Sequence, residues 1–297
     1  MRKIWACFRI FYLSCLLLGL TLPAVGQVGI AVAGGLPQAD DSRVQVLTFR
    51  GAVTPVLGQY ITDGIEAAQA GNAQAVILQL DTPGGSVEVT KQIVQVMLAS
   101  PVPIVVYVAP SAAQAGSAGT FITLAGHVAA MAPGSSIGAA SPVGGQGEDV
   151  GETMEAKVKN ILSADIENLA SRRGEAAVEW AVAAVQEAAA ATADRALELG
   201  VIDFIATDVA DLAEQMDGFV VRVQGEEVTL RTAGALAQRL DLNPLQEFLN
   251  FITNPSVATI LLTLGSVGLI AEIYNPGTFV PGTIGLISLL LGLYALG

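Results

Sequence analysis

The sequence predicts an α/β domain, a parallel β-sheet flanked by helices, followed by C-terminal transmembrane helices. Between Ser42 and Ala206 short β-branched runs alternate with Ala-rich helical stretches, and several of the strand-like runs are apolar throughout, as strands buried on both faces are. Two stretches without charge, residues 248–271 and 273–297, close the chain on either side of Glu272.

Taken in order, residues 44–49 read as a strand, 55–70 as a helix, 75–80 as a buried strand and 87–100 as a helix that stops before Pro101. Residues 104–108 form another buried strand, 117–125 a helix and 128–131 a short strand. A polar Gly-rich loop, 144–151, has the composition of a flap, and two long helices follow it near 155–173 and 176–188. Alternation around Gln224-Gly225-Glu226 makes 219–232 a surface hairpin.

Each closing stretch is long enough to cross about 30 Å of hydrocarbon at about 1.5 Å per helical residue. Their short, Gly-rich cores, joined at Asn275-Pro276-Gly277, also fit a re-entrant hairpin. The second stretch ends without a polar tail, an ending expected of a piece of a longer protein. At the other end, Arg2, Lys3 and Arg9 precede the apolar run 10–22, and small-residue sites follow at Ala24-Val25-Gly26 and Ala31-Val32-Ala33. That order is the signature of a secretory signal, with an uncleaved anchor as the competing reading. Either one sends the following domain out of the cytoplasm. The chain therefore divides into a signal (1–33), a catalytic-sized domain (42–218), a hairpin with a connecting helix (219–247) and membrane segments (248–297).

Composition narrows the chemistry. Lys and Arg number 14 against 27 Asp and Glu, a net charge of −13, so the basic footprint that nucleic acid requires is missing. Cys7 and Cys15 both lie in the N-terminal apolar stretch, leaving the domain without a disulfide or a thiolate nucleophile. Leu13-Ser14-Cys15 resembles a lipoprotein box, but much of the apolar run follows it.

Two clusters can carry chemistry. Asp81-Thr82-Pro83-Gly84-Gly85-Ser86 ends a predicted strand, where open α/β sheets place ligands. Its consecutive glycines let backbone N–H groups converge on one oxygen, although a plain strand-to-helix turn needs the same residues. Ala115-Gly116-Ser117-Ala118-Gly119-Thr120 sets an uncrowded hydroxyl where a helix begins. A serine packed for close helix contact is the competing explanation, and Ser86, Ser111, Ser135 and Ser136 are other hydroxyls nearby. A serine nucleophile needs a base. The only histidine, His127, is separated from Ser117 by a helix on the order of 12 Å long at 1.5 Å per residue, beyond hydrogen-bond reach. The domain's lysines are Lys91, Lys157 and Lys159, and lysine serves as a base where burial depresses its pKa.

These motifs, together with Met131-Ala132-Pro133-Gly134-Ser135-Ser136-Ile137-Gly138-Ala139-Ala140, resemble the NfeD membrane proteases, relatives of ClpP and signal peptide peptidase A. The resemblance runs from about residue 42 into the membrane segments and implies a ClpP/crotonase-like fold. It implies a Ser-Lys dyad with Ser117 as nucleophile and Lys157, in Lys157-Val158-Lys159-Asn160, as base. It further implies an oxyanion held by backbone N–H groups of Gly84, Gly85 and Ala118, with neither cofactor nor metal. ClpP itself carries a histidine near the position of Gly138 to Ala140, where this chain has none. Family members act on apolar segments of membrane proteins, with stomatin-type partners, and assemble into homo-oligomers. They usually continue into further membrane helices and a small β-barrel domain. The expectation is thus a membrane serine endopeptidase with its domain on the extracytoplasmic side. A catalytically silent scaffold of stomatin-rich membrane patches and a crotonase-like acyl-CoA enzyme are the alternatives.

Overall fold

The computed structural model describes residues 42–142 and 152–296. The predicted signal with Cys7 and Cys15, and the predicted flap at 144–151, lie outside the described residues.

Runs rich in β-branched residues form the first three strands. β1 (Arg43–Arg50) leads into α1 (Pro55–Ala70), β2 (Ala75–Asp81), α2 (Val87–Leu98) and β3 (Ile104–Val108). β4 (Gln114–Gly116), α3 (Ala118–Ala125), β5 (Val128–Met131) and β6 (Ser136–Gly138) follow. Next come α4 (Glu152–Ala170), α5 (Glu175–Gln186), β7 (Ala190–Thr192), α6 (Ala193–Glu198), β8 (Phe204–Ile205) and α7 (Val209–Gln215). The hairpin β9 (Val220–Val223) and β10 (Glu226–Thr229) turns at Gln224-Gly225, and β11 (Leu236–Leu240) leads into α8 (Pro244–Ile252), α9 (Pro255–Tyr274) and α10 (Val280–Leu296).

The main sheet runs β11-β1-β2-β3-β5-β8, and every pairing in it is parallel. Because strand side chains alternate between faces, neighbours such as Val46 and Leu47 or Ile77 and Leu78 serve different cores. Leu47, Leu78 and Val106 pack beneath α1, α2 and α3, while Val46, Ile77 and Val105 pack with Leu212, Met216 and Val221 on the other face. A second small sheet, β4-β6-β7, stands beside the first and holds α3 at its root. A third apolar cluster joins Leu124 of α3 to Leu162 and Ile166 of α4 and to Ala177 and Ala181 of α5.

Two expectations change. The segment 219–247 is more than a hairpin and a connector, since β11 adds an edge strand beside β1 in register Arg43↔Leu236 through Leu47↔Leu240. The first uncharged stretch is not continuous helix. Asn243 and Gln246 form a reciprocal capping box that starts α8, and Asn254 with Pro255 starts α9 anew. Among the described helices α9 is the one long and apolar enough to cross a membrane, with mean hydropathy 1.9, and the apolar run of α10, Val280–Ala295, is shorter. α9 and α10 meet at small residues: a Cβ on Gly265 would lie 2.8 Å from Leu289, and one on Gly285 would lie 2.7 Å from the backbone of Leu269.

Tyr60 ties the edge strand down. Its ring is buried, and its hydroxyl accepts from the Thr48 N–H at 3.1 Å and donates to the Leu240 carbonyl. Tyr60→Phe leaves both backbone groups without that partner and is expected to lower stability by about 1–3 kcal/mol, read as a lower midpoint in chemical unfolding.

Candidate active site

The C-terminal end of β2 is stitched to its neighbours by backbone bonds. The Thr82 N–H donates to the Gln114 carbonyl (2.8 Å) and the Gly116 N–H to the Thr82 carbonyl (3.0 Å), so the loop after β2 runs against β4. Asp81 completes the seam, accepting from the Gln114 N–H at 3.1 Å and pairing with Arg50 at 3.1 Å. On the other side, the Val53 N–H donates to the Gly84 carbonyl (2.8 Å) and the Ser86 N–H to the Val53 carbonyl (3.2 Å). A bridge that uses the groups before and after Gly85 turns the N–H of Gly85 itself away from Val53. Only glycine fits at this position, because a Cβ would sit 2.3 Å from the Val53 carbonyl oxygen.

Ser117 occupies the turn between β4 and α3 with φ 49° and ψ −113°, a conformation costing a non-glycine residue about 1–3 kcal/mol. Its N–H donates to the Gly138 carbonyl (2.9 Å), and Thr120 Oγ1 braces the same segment by accepting from the Gly138 N–H (3.2 Å). Gly84 lies directly against the serine, and a Cβ there would come within 2.6 Å of Ser117 Cβ. The Ser117 hydroxyl does not cap α3. Ala118 is the first residue of that helix, so its N–H has no intrahelical acceptor.

Among the described residues, neither the Gly85 nor the Ala118 N–H donates to another backbone carbonyl outside helices and strands. Gly84 differs, for its N–H donates to Thr82 Oγ1 at 3.1 Å. Two of the rival hydroxyls have structural duties: Ser86 Oγ caps α2 by accepting from the Val89 N–H, and Ser135 Oγ donates to the Ala132 carbonyl.

Ser117, Ala118 and Gly85 share a cavity of about 350 Å³. Its walls come from α2 (Val87, Val94, Leu98), α3 (Phe121) and α4 (Leu162, Leu169), with Lys91, Asp165 and Asn168 as polar members. Sequence reasoning placed Lys157 on this helix but singled out none of the α4 residues that line the cavity, although Leu162, Asp165 and Leu169 follow helical spacing along one face. Lys91 Nζ and Asp165 Oδ2 stand 3.0 Å apart across the cavity, without the alignment of a hydrogen bond.

Lys157 is exposed near the start of α4 and is not among the residues lining this cavity. Among the described residues it has no ion-pair partner, whereas Lys159 pairs with Glu155 at 2.9 Å. A second cavity, of about 710 Å³, opens on the other side of Pro83 between Arg50, Asp81 and Gln114 and the α8–α9 segment, including Glu247, Asn250 and Asn254. No group of three or more His, Cys, Asp or Glu suited to a metal occurs among the described residues.

His127 is structural. Its Nδ1 accepts the Ile104 N–H at 3.0 Å, and burial, reinforced by the nearby Arg172, pushes its pKa down to about 4. The folded protein therefore holds the imidazole neutral, while the unfolded chain takes up a proton near the ordinary value of 6.5. The stability this neutral ring contributes is whole above about pH 6.5 and is lost as pH falls toward 4.

The NfeD1b N-terminal domain family matches residues 43–218, and the NfeD integral membrane domain matches 256–297. The chain is 36% identical over 258 residues to the membrane-bound protease PH1510 of Pyrococcus horikoshii, covering 86% of this chain and 58% of that protein. It is 28% identical over 272 residues to membrane protein NfeD1b of Bacillus subtilis, covering 86% and 57%. The chain thus spans 58% and 57% of the lengths of these two relatives. Among solved structures, a lysine-to-alanine variant of 1510-N, described as a membrane-bound stomatin-specific protease in complex with a substrate peptide, superposes with TM-score 0.66. That pair is 31% identical, over 71% of this chain and 97% of the other. A serine-to-alanine variant of 1510-N gives TM-score 0.62 at 33% identity, covering 67% and 97%.

Two measurements test the local physics. Ser117→Gly removes the φ penalty and is expected to raise the unfolding free energy by up to about 1 kcal/mol, read as a higher midpoint in chemical unfolding, while Ser117→Ala keeps the strain and gains nothing. Between pH 6.5 and 4, His127→Gln is expected to lose about 1–2 kcal/mol less stability than the parent in parallel thermal melts.

Proposed function

The chain belongs to the NfeD family, and from that premise we propose that it is a membrane-bound serine peptidase with Ser117 as nucleophile and Lys157 as base. The observation that carries this reading is the strained Ser117 at the β4–α3 turn, opening into a cavity beside the N–H groups of Gly85 and Ala118. Strain of this kind persists where the surrounding structure imposes it, and it clusters at reactive positions.

In the proposed reaction Lys157 takes the proton as Ser117 Oγ attacks a peptide carbonyl. The oxygen, now negative, lies against the Gly85 and Ala118 N–H groups, and the start of α3 favours that charge. Lys157 then returns the proton to the leaving amine, and water releases the acyl group from Ser117. The part of Gly84 is to leave room for the serine, since its own N–H is engaged by Thr82. Lys157 lies on the helix whose next turns wall the cavity, and we infer that a bound peptide draws this turn of α4 toward Ser117. The relatives support the pair: a lysine variant of 1510-N was captured with a substrate peptide, and a serine variant has also been solved.

Walls of Val94, Leu98, Phe121, Leu162 and Leu169 suit an apolar side chain, so an apolar stretch of a membrane protein is the proposed substrate class. A stomatin-type protein is the proposed partner, because the structural relatives are described as stomatin-specific. The domain is proposed to lie on the extracytoplasmic side and to work as a homo-oligomer. One observation favours a second base: Lys91 lines the cavity itself, although its Nζ stands against Asp165.

Cleavage of an apolar peptide from a stomatin-type protein by the detergent-solubilised chain distinguishes these assignments. Ser117→Ala and Lys157→Ala are each expected to lower the rate by about 10²–10⁴-fold, with Lys159→Ala and His127→Gln near the parent. Loss with Lys91→Ala but not with Lys157→Ala would transfer the base to α2. No cleavage by the parent itself would favour the scaffold.

A further inference from the structure

α8 presents an apolar face that no described residue covers. Leu245, Phe248 and Phe251, spaced three apart and therefore along one side of the helix, are 64%, 47% and 63% exposed. The opposite side is fixed to the domain: Gln246 Nε2 donates to Asp63 Oδ2 (2.9 Å) and Asn250 Nδ2 to the Arg50 carbonyl (3.3 Å). The helix cannot roll to hide its aromatic rings without breaking those bonds. Two residues, Thr253 and Asn254, separate it from α9, which begins at Pro255 and whose Ile260 and Leu264 are likewise exposed and lie within the integral membrane domain.

We propose that α8 is an interfacial membrane helix, lying at the lipid headgroup level with Leu245, Phe248 and Phe251 inserted into the upper acyl region. Two features of the molecule favour lipid over a protein partner. The apolar face continues, across Thr253 and Asn254, into a surface that is itself within the membrane domain. Three side chains on a helix about 13 Å long also present far less than the roughly 800 Å² per partner of a stable protein interface. Helices of this kind bury their apolar face about 5–10 Å into the headgroup and acyl boundary.

Most interfacial helices add basic residues for anionic lipid, but α8 carries only Glu247 as a charge, and its polar side is satisfied by the domain. Insertion should therefore proceed in zwitterionic bilayers. This inference stands apart from the peptidase reading, since the experiment below reads lipid contact and not cleavage.

The full chain is reconstituted in phosphatidylcholine nanodiscs after Trp5→Phe and Trp180→Phe, with Phe248→Trp or Phe251→Trp as reporter and Glu226→Trp, exposed on the β9–β10 hairpin, as the reference. Insertion predicts blue-shifted emission at 248 and 251, roughly half the intensity lost to lipid brominated near the headgroup, less loss to lipid brominated deep in the chain, and protection from acrylamide. Emission and acrylamide quenching equal to the Glu226→Trp reference, with no effect of brominated lipid, would overturn the proposal. So would protection that vanishes on dilution into excess lipid and coincides with cross-links between copies, which would assign the face to a second chain.

Discussion

One backbone constraint organises the site. Ser117 holds φ 49° because β4 on one side and α3 on the other leave it no alternative, and its N–H is committed to Gly138. The small sheet β4-β6-β7 exists to impose this turn: β6 supplies the carbonyl that holds Ser117, and β7 backs β6 so closely that a Cβ on Gly138 would meet the Ala189 carbonyl at 2.4 Å. Gly84 and Gly85 belong to the same constraint. The first has no side chain where Ser117 must pass, and the second none where Val53 crosses. The Ser117 hydroxyl is thus kept out of the hydrogen-bonding competition that occupies Ser86 and Ser135.

Elements with strong local signals were legible in the sequence. α1 spans the predicted 55–70, and β3 the predicted 104–108, because an apolar helical period and an unbroken β-branched run each point to one local structure. The short strands β4, β6 and β7 were not, since three residues drawn mostly from Ala, Gly, Ser and Gln carry no periodicity and owe their conformation to partners far along the chain. β11 was missed for a similar reason. Its residues are mostly exposed, and only pairing with β1 makes it a strand. At the site, Ser117 stood out by its small neighbours, whereas the α4 wall and the Lys91–Asp165 pair arise from helices that meet only in three dimensions.

The membrane end of the chain follows different packing rules. Between α9 and α10 the contact is made by glycines against backbone, because apolar side chains gain nothing from leaving lipid for one another. Glu272, the one charge in this region, is satisfied at the turn by the N–H groups of Gly277 and Phe279 and by the Thr278 hydroxyl. The domain above instead buries Leu, Ile and Val from water in the ordinary way.

The direction of β11 has a consequence for where chemistry can occur. All six strands of the main sheet point the same way, so the tip of β2, which bears the glycine loop, and the tip of β11, from which the chain departs for α8, lie on a common rim. Had the last strand run antiparallel, the tether would leave from the far rim, about 16 Å away for five residues. Polarity of a single edge strand therefore decides that the rim bearing the glycine loop is also the rim from which the chain leaves for the membrane domain.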